Sequence, residues 1–160
     1  MANWTNFFQS SAGAAATLIG LVVVAISINL TRILAYPHLP ARAAAALAPL
    51  AGVLIVTLLG LVPAQPLRLY GAEAFVIGAA MWASSLSTAL RARSQTSVVP
   101  PLRFWANLGV NQAQSLPFAI AGGLMLLHQS AGLYWIAPGV IFSLLAGVMN
   151  TWVLLVEILR

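Results

Sequence analysis

Five long apolar stretches follow one another along the chain and leave little room for any other kind of structure. A helix that crosses a membrane needs about 20 consecutive, mostly apolar residues, because each residue advances about 1.5 Å through a hydrocarbon layer about 30 Å thick. We therefore predict an all-α fold, a polytopic transmembrane helical bundle that forms a single transmembrane domain over residues 1–160. The predicted spans cover residues 7–30, 41–62, 68–90, 104–127 and 133–159.

The sequence marks the breaks between these stretches with unequal clarity. Prolines, which a helix interior tolerates poorly, lie in each of the first three breaks, at Pro37 and Pro40, at Pro63 and Pro66, and at Pro100 and Pro101. The last break, HQSAG at residues 128–132, is short and contains no proline. One long bent helix is therefore the alternative to a reversal there, although residues 133–159 suffice for a full span.

Charged residues are scarce, and their types argue against several classes of function. They make up 6% of the chain, whereas an average soluble domain has about 25%. The net charge of +5 comes from arginines that stand singly or in pairs between apolar stretches, so we expect no nucleic-acid partner. Lysine, aspartate and cysteine are absent, which removes the lysine-containing phosphate loop, the Ser-His-Asp triad and thiolate metal sites. We expect a protein that is not an enzyme and that holds neither a cofactor nor a metal.

The arginines also predict an orientation. Arg68 lies alone in the second loop, and the other six arginines lie in the first loop, in the third loop or at the C-terminus. Cytoplasmic segments next to a membrane are enriched in arginine and lysine. With five spans, this distribution places the N-terminus outside and the C-terminus in the cytoplasm.

The predicted fourth span is polar in its cytoplasmic half and apolar beyond Pro117. Asn107, Asn111 and Gln114 share one helical face, at depths of about 6, 12 and 17 Å from the cytoplasmic end. The missing N–H of Pro117 also frees the carbonyl oxygen of Ala113. Polar groups of other spans fall in the same leaflet, and the candidate lining of a polar interior is Asn107, Asn111, Gln114, Ser115, Pro117, Asn150, Ser84 and Thr88.

Two interpretations of this polar interior remain open. A hydrated cavity that faces the cytoplasm would satisfy the amides and the freed carbonyl with water. A network of hydrogen bonds between helices would satisfy the same groups with protein partners.

Glu73 is the candidate intramembrane acid. It lies near the predicted outer end of the third span, where a carboxylate complements the helix dipole and can reach Arg68. An anchoring role is one alternative, and the handling of protons or cations is the other, because acids inside a membrane are often functional.

Two spans carry stripes of small residues. The stripes contain Gly13, Thr17 and Gly20 in the first span, and Gly139, Ser143 and Gly147 in the fifth. Small side chains let helix backbones approach closely in lipid. Such stripes pack helices either within one chain or between subunits. Because five helices joined by short loops have few neighbours, we expect a homo-oligomer.

The first and last spans support a resemblance. In NFFQSSAGAAATLIGLVVVAISINLTRIL and GLYWIAPGVIFSLLAGVMNTWVLLVEILR, the chain resembles a group of small, uncharacterised bacterial integral membrane proteins. Some members of that group are labelled as modulators of a membrane-bound AAA protease. The resemblance implies a multi-pass protein of the bacterial cytoplasmic (inner) membrane and adds weight to a regulatory role.

Two functional hypotheses follow from these patterns. The first is a homo-oligomeric channel or carrier for a small ion or polar solute, with the polar half of the fourth span lining its cytoplasmic vestibule. The alternative is an accessory or regulatory subunit that docks on a larger membrane complex through its stripes of small residues. Under both hypotheses we expect the helices to contact the lipid bilayer. Binding of a cofactor or pigment is a third class, which a colourless purified protein would remove.

Overall fold

The computed structural model describes residues 4–36, 39–95 and 101–159, with side chains for all of these except Thr88, Ala89, 91–95, 101–108, Val110 and 157–159. Within these residues the secondary structure is helical, without strands. The helices are α1 (Thr5–Ile28), α2 (Leu30–Ala35), α3 (Leu39–Gly60), α4 (Leu67–Gln95), α5 (Pro101–Leu126) and α6 (Gly132–Leu159). The chain is an all-α helical bundle, which confirms the predicted fold class.

Four segments of the described chain are long and apolar enough to cross a membrane, which supports an integral membrane protein. They are Thr5–Ile28, Leu39–Gly60, Leu67–Ser87 and Gly132–Val156. They coincide with the predicted first, second, third and fifth spans. Helix α5 has 26 residues, but the fourth span, the total of five and the orientation stay predictions.

Two helix ends differ from the sequence-based expectation. Helix α1 ends at Ile28, and the short helix α2 follows because Asn29 interrupts the backbone ladder. The backbone N–H of Asn29 bonds back to Ile26, and its side-chain amide donates to the carbonyl of Ala25 at 2.9 Å. Helix α4 continues to Gln95, past the predicted end at residue 90, because the intervening sequence contains neither proline nor glycine.

The helices group into two compact units. Unit 1 comprises Met1–Pro63 with Ser143–Arg160, and unit 2 comprises Ala64–Phe142. Helix α6 contributes its first part to unit 2 and its remainder to unit 1. The prediction of one transmembrane domain stays a prediction.

In unit 1, α1 packs along α3, and the later part of α6 packs on α3. Buried Phe8 of α1 lies against Gly60 of α3. Leu50 of α3 lies against Gly147 of α6, so close that a Cβ at residue 147 would come within 2.6 Å of the leucine Cγ. A second buried cluster joins α2, α3 and α6 through Ile33, Leu39, Ala43 and Leu154.

In unit 2, α4 and α5 approach each other at their backbones. A Cβ at Gly71 would lie 2.7 Å from the Cβ of Met125, and a Cβ at Gly78 would lie 2.6 Å from the backbone nitrogen of Ala119. Real Cβ atoms do not come so close, so only glycine fits these positions. The contact of Gly71 with Met125 and that of Gly78 with Ala119 pair a higher residue number on α4 with a lower one on α5, so the two helices are antiparallel.

The chain reverses between α5 and α6. Helix α5 ends with a Schellman motif, in which the backbone N–H of Gln129 bonds to Leu124 and that of His128 bonds to Met125. His128 has a left-handed φ of 62°. Beyond the turn, Gly132 of α6 lies against Met125, and Gly139 lies against Phe118. Helix α6 therefore runs back along α5, and the predicted reversal, not one long bent helix, is present.

Candidate functional site

The polar residues in the middle of α5 form a ladder of side-chain hydrogen bonds. Gln114 donates from Nε2 to Oδ1 of Asn111 at 2.9 Å, and Ser115 donates from Oγ to the backbone carbonyl of Asn111 at 3.1 Å. Gln114 and Ser115 are buried, with exposed fractions of 7% and 1%. Pro117, one turn further on, is also buried, and α5 continues through it. The structure thus brings these predicted lining residues together on one helix.

The antiparallel register of α4 and α5 indicates which residue of α4 lies at the same height as the polar residues of α5. Gly78 of α4 lies against Ala119 of α5. Ser85 comes seven residues after Gly78, and Gln112 comes seven residues before Ala119. Seven residues are about two helical turns, so in antiparallel helices both steps lead in the same direction. Ser85 therefore extends the face of α4 that contains Gly71 and Gly78, and it lies at the level of Gln112. We call Ser85, Asn111, Gln112, Gln114 and Ser115 the α4–α5 polar site.

Two atoms of the α4–α5 polar site have unmet hydrogen-bonding capacity. Ser85 Oγ and Gln112 Oε1 are both buried, and within the described part of the chain neither has a hydrogen-bond partner. A buried polar atom without a partner costs about 1–3 kcal/mol. A hydroxyl both donates and accepts, whereas an amide oxygen accepts. Gln112 Oε1 can therefore accept from a water or a small solute, and Ser85 Oγ can donate to one or accept from one.

Neither Ser85 nor Gln112 belongs to the lining predicted from the sequence. That prediction followed the α5 face of Asn107, Asn111 and Gln114, and Gln112 lies on a different face. A sequence signal for Ser85 exists in the spacing of Gly71, Gly78 and Ser85, which recur every seven residues as small residues of one helix face.

The remaining predicted lining residues either lie away from the α4–α5 polar site or have side chains outside the described part of the chain. Ser84 is exposed and donates its hydroxyl to the carbonyl of Met81 at 2.8 Å. The side chains of Asn107 and Thr88 lie outside the described residues.

Asn150 is part of a contact between α6 and α3 in unit 1. Its Nδ2 lies 3.3 Å from the carbonyl oxygen of Ala45. Pro49 lies four residues after Ala45 inside α3, and because proline has no N–H, that carbonyl lacks its usual helical donor. Asn150 supplies a replacement from the neighbouring helix. This contact is of the kind that the hydrogen-bond-network interpretation describes.

Glu73, the candidate intramembrane acid, lies in Leu67–Ser87, one of the segments that are long and apolar enough to cross a membrane. Its Oε2 accepts a hydrogen bond from Nε2 of Gln65 at 2.5 Å. Arg68, which the sequence suggests as its partner, instead places its guanidinium 3.2 Å from Nδ1 of His128 in the α5–α6 turn. The two residues are five positions apart on α4, which turns them about 140° from each other.

The two stripes of small residues have different environments. Gly139, Ser143 and Gly147 of α6 are buried, and both glycines meet side chains of other helices. On α1 the stripe is exposed: Gly13, Thr17 and Gly20 are all exposed, and neither glycine has an atom within 4 Å of the position of a Cβ. The hydroxyl of Thr17 donates to the carbonyl of Gly13 in its own helix.

Among the described residues, no group of three His, Cys, Asp or Glu side chains could hold a metal ion. Of the two histidines of the chain, His128 lies in the turn between α5 and α6, and His38 lies outside the described residues.

No protein-family model, no curated protein and no solved structure matches this chain.

Proposed function

We propose that this chain is a non-enzymatic, multi-pass membrane protein that conducts or carries a small ion or polar solute. In this proposal the α4–α5 polar site lies on the path of the solute. The observation that carries the proposal is the pair of buried, unpartnered atoms, Ser85 Oγ and Gln112 Oε1, at one level of two closely packed helices. A purely structural contact would pair these atoms with each other or with the backbone, because unpaired polar atoms are costly in lipid.

The path also includes the ladder of Asn111, Gln114 and Ser115. Buried Gln114 and Ser115 and half-buried Asn111 offer further donors and acceptors on another face of α5, at nearly the same height as Gln112. We place the protein in the bacterial inner membrane with its N-terminus outside, on the strength of the arginine distribution and the family resemblance. In that orientation the polar ladder lies toward the cytoplasm.

Flux into proteoliposomes tests this proposal. The probes are water, glycerol and potassium ions, measured by stopped-flow light scattering and by an internal potassium dye. We expect flux of at least one probe above that of protein-free liposomes. Ser85→Ala and Gln112→Leu should each lower that flux by roughly tenfold, the effect of losing about 1.4 kcal/mol of interaction.

Two matched variants serve as controls. Ser84→Ala removes the neighbouring but exposed hydroxyl, and Gln9→Leu removes an exposed amide on α1. Both should leave flux unchanged. Flux that equals that of empty liposomes, or that survives Gln112→Leu and Gln114→Leu intact, would rule out the proposed path.

The exposed stripe on α1 supports the second candidate function, an accessory or regulatory subunit. This face continues along α1 in both directions beyond Gly13, Thr17 and Gly20, and every residue along it is exposed: Asn6, Ser10, Val24 and Ser27. A face of small and weakly polar residues allows close approach of another helix in lipid. We propose that α1 packs against a second copy of this chain or against a helix of a larger membrane complex.

Native mass spectrometry from lipid tests the docking of α1. Gly20→Leu and Gly13→Leu should release the second copy or the partner, because each places a large side chain in the stripe. Ala14→Leu, which adds the same side chain to another exposed position of α1, should retain it. A native protein that is monomeric and free of partners in its own membrane would refute this proposal.

A further inference from the structure

The turn before α4 and the second turn of that helix place two oxygen-bearing side chains together. Gln65 lies just before α4, and Glu73 lies about 9 Å along the helix from its first residue, Leu67. Both side chains are half-buried, and Nε2 of Gln65 donates to Oε2 of Glu73. This bond fixes the Gln65 amide beside the carboxylate.

The amide oxygen of Gln65 is left without a hydrogen-bond partner. Gln65 Oε1 is buried, and no donor reaches it from the residues that the structure describes. Oε1 belongs to the same amide as the Nε2 that donates to Glu73, so we infer that it lies near the carboxylate. Two such oxygens, one partly and one fully negative, are an unfavourable arrangement unless a donor or a cation lies close to both.

The carboxylate of Glu73 also lacks a positive partner among the described residues. Arg68 is turned about 140° away from it around α4 and approaches His128 instead. A carboxylate inside an apolar span is costly when no opposite charge accompanies it. A single cation coordinated by oxygen atoms would both balance the charge of Glu73 and give Gln65 Oε1 a partner.

We propose that Glu73 and Gln65 form a binding site for a monovalent metal cation of the sodium class. Gln65 Oε1 and the carboxylate of Glu73 are its side-chain ligands. Oxygen ligands from carboxylates and carbonyls are the type that such cations use in membrane proteins. One carboxylate balances one positive charge, which favours a monovalent over a divalent ion, since divalent ions are usually held by several carboxylates. The site does not depend on transport by the α4–α5 polar site.

Thermal unfolding of the full-length protein in lipid nanodiscs tests the site. Sodium chloride replaces choline chloride at constant pH and ionic strength, and intrinsic tryptophan fluorescence reports the unfolding temperature. A ligand that binds the folded state raises that temperature in a saturable manner. We expect this rise in the native protein and in Glu157→Gln, which removes the other acid of the chain.

The variants of the site should lose the response. Glu73→Gln should abolish the dependence on sodium, and Gln65→Leu should require roughly tenfold more sodium for the same effect. If Glu73→Gln does not fold, binding of radioactive sodium to the native protein and to Gln65→Leu decides the matter. A native protein indifferent to sodium, an unchanged response in Glu73→Gln, or stabilisation by acid in choline without any response to sodium would overturn the proposal. None of these outcomes depends on solute flux, so the two proposals fail separately.

Discussion

Asn150→Leu should destabilise unit 1 by an amount that depends on whether residue 49 is proline. In the native chain, Asn150 donates to the carbonyl of Ala45, whose usual donor is missing because Pro49 has no N–H. In Pro49→Ala, residue 49 regains an N–H that bonds to Ala45 within α3. The bond from Asn150 then becomes redundant, and its loss should matter little.

The magnitude follows from the chemistry of hydrogen bonds in lipid. Bonds between transmembrane helices contribute about 0.6 kcal/mol on average and about 1.7 kcal/mol at most. The distance of 3.3 Å between Asn150 Nδ2 and the Ala45 oxygen exceeds the usual 2.9–3.0 Å, so we expect a coupling of about 0.6 kcal/mol, near that average. This equals a change of roughly threefold in the unfolding equilibrium constant. The loss of the buried proline ring affects both arms of the cycle and cancels.

Reversible unfolding in mixed detergent micelles measures the four proteins of this double-mutant cycle. Thr151→Val is the matched control, because the Thr151 hydroxyl bonds within α6 to the carbonyl of Gly147 at 2.7 Å. Its cost should be the same with proline or alanine at residue 49. If Asn150→Leu costs as much in the Pro49→Ala background as in the native one, the freed carbonyl is not what Asn150 stabilises.

Two further predictions concern unit 2 and use the same unfolding measurement. Gly122→Ala should destabilise the protein by about 1–3 kcal/mol, because its Cβ would overlap the backbone of Phe75 across the α4–α5 contact. At the next residue, Gly123, a Cβ would have no atom within 4 Å, so Gly123→Ala should be neutral or stabilising by up to about 1 kcal/mol. Equal effects of the two substitutions would contradict the close approach of the helices. His128→Gly should be more stable than His128→Ala by about 1 kcal/mol. Both variants lose the contact with Arg68, but only glycine adopts the φ of 62° without strain. Equal unfolding free energies of the two variants would show that residue 128 is not left-handed.

The helices themselves were predictable because lipid removes alternatives to internal backbone hydrogen bonds. The predicted fifth span at residues 133–159 corresponds to α6 at Gly132–Leu159. Helix α1 ends two residues before the predicted end of the first span at residue 30, and the short helix α2 was not predicted, because Arg32 was assigned to the first loop.

The candidate site was predictable only in part. Asn111, Gln114 and Ser115 stand out in the sequence as amides and a hydroxyl in an apolar helix, and the structure joins them by hydrogen bonds along that helix. The level of Ser85 beside Gln112 depends on the register of α4 against α5, which the close contacts at Gly71 and Gly78 set. No local pattern fixes such a register.

The sequence by itself determined that the chain is helical and largely apolar, and where nearly every long helix begins and ends, because those properties depend on residues within a few positions of each other and on their transfer into lipid. Tertiary structure decided which partner each feature has. Stripes of small residues look alike on α1 and α6, yet one is exposed and the other is buried against neighbouring helices. Likewise, Pro49 and Asn150 are both visible in the sequence, but only the packing of α6 on α3 places the amide of one beside the carbonyl freed by the other.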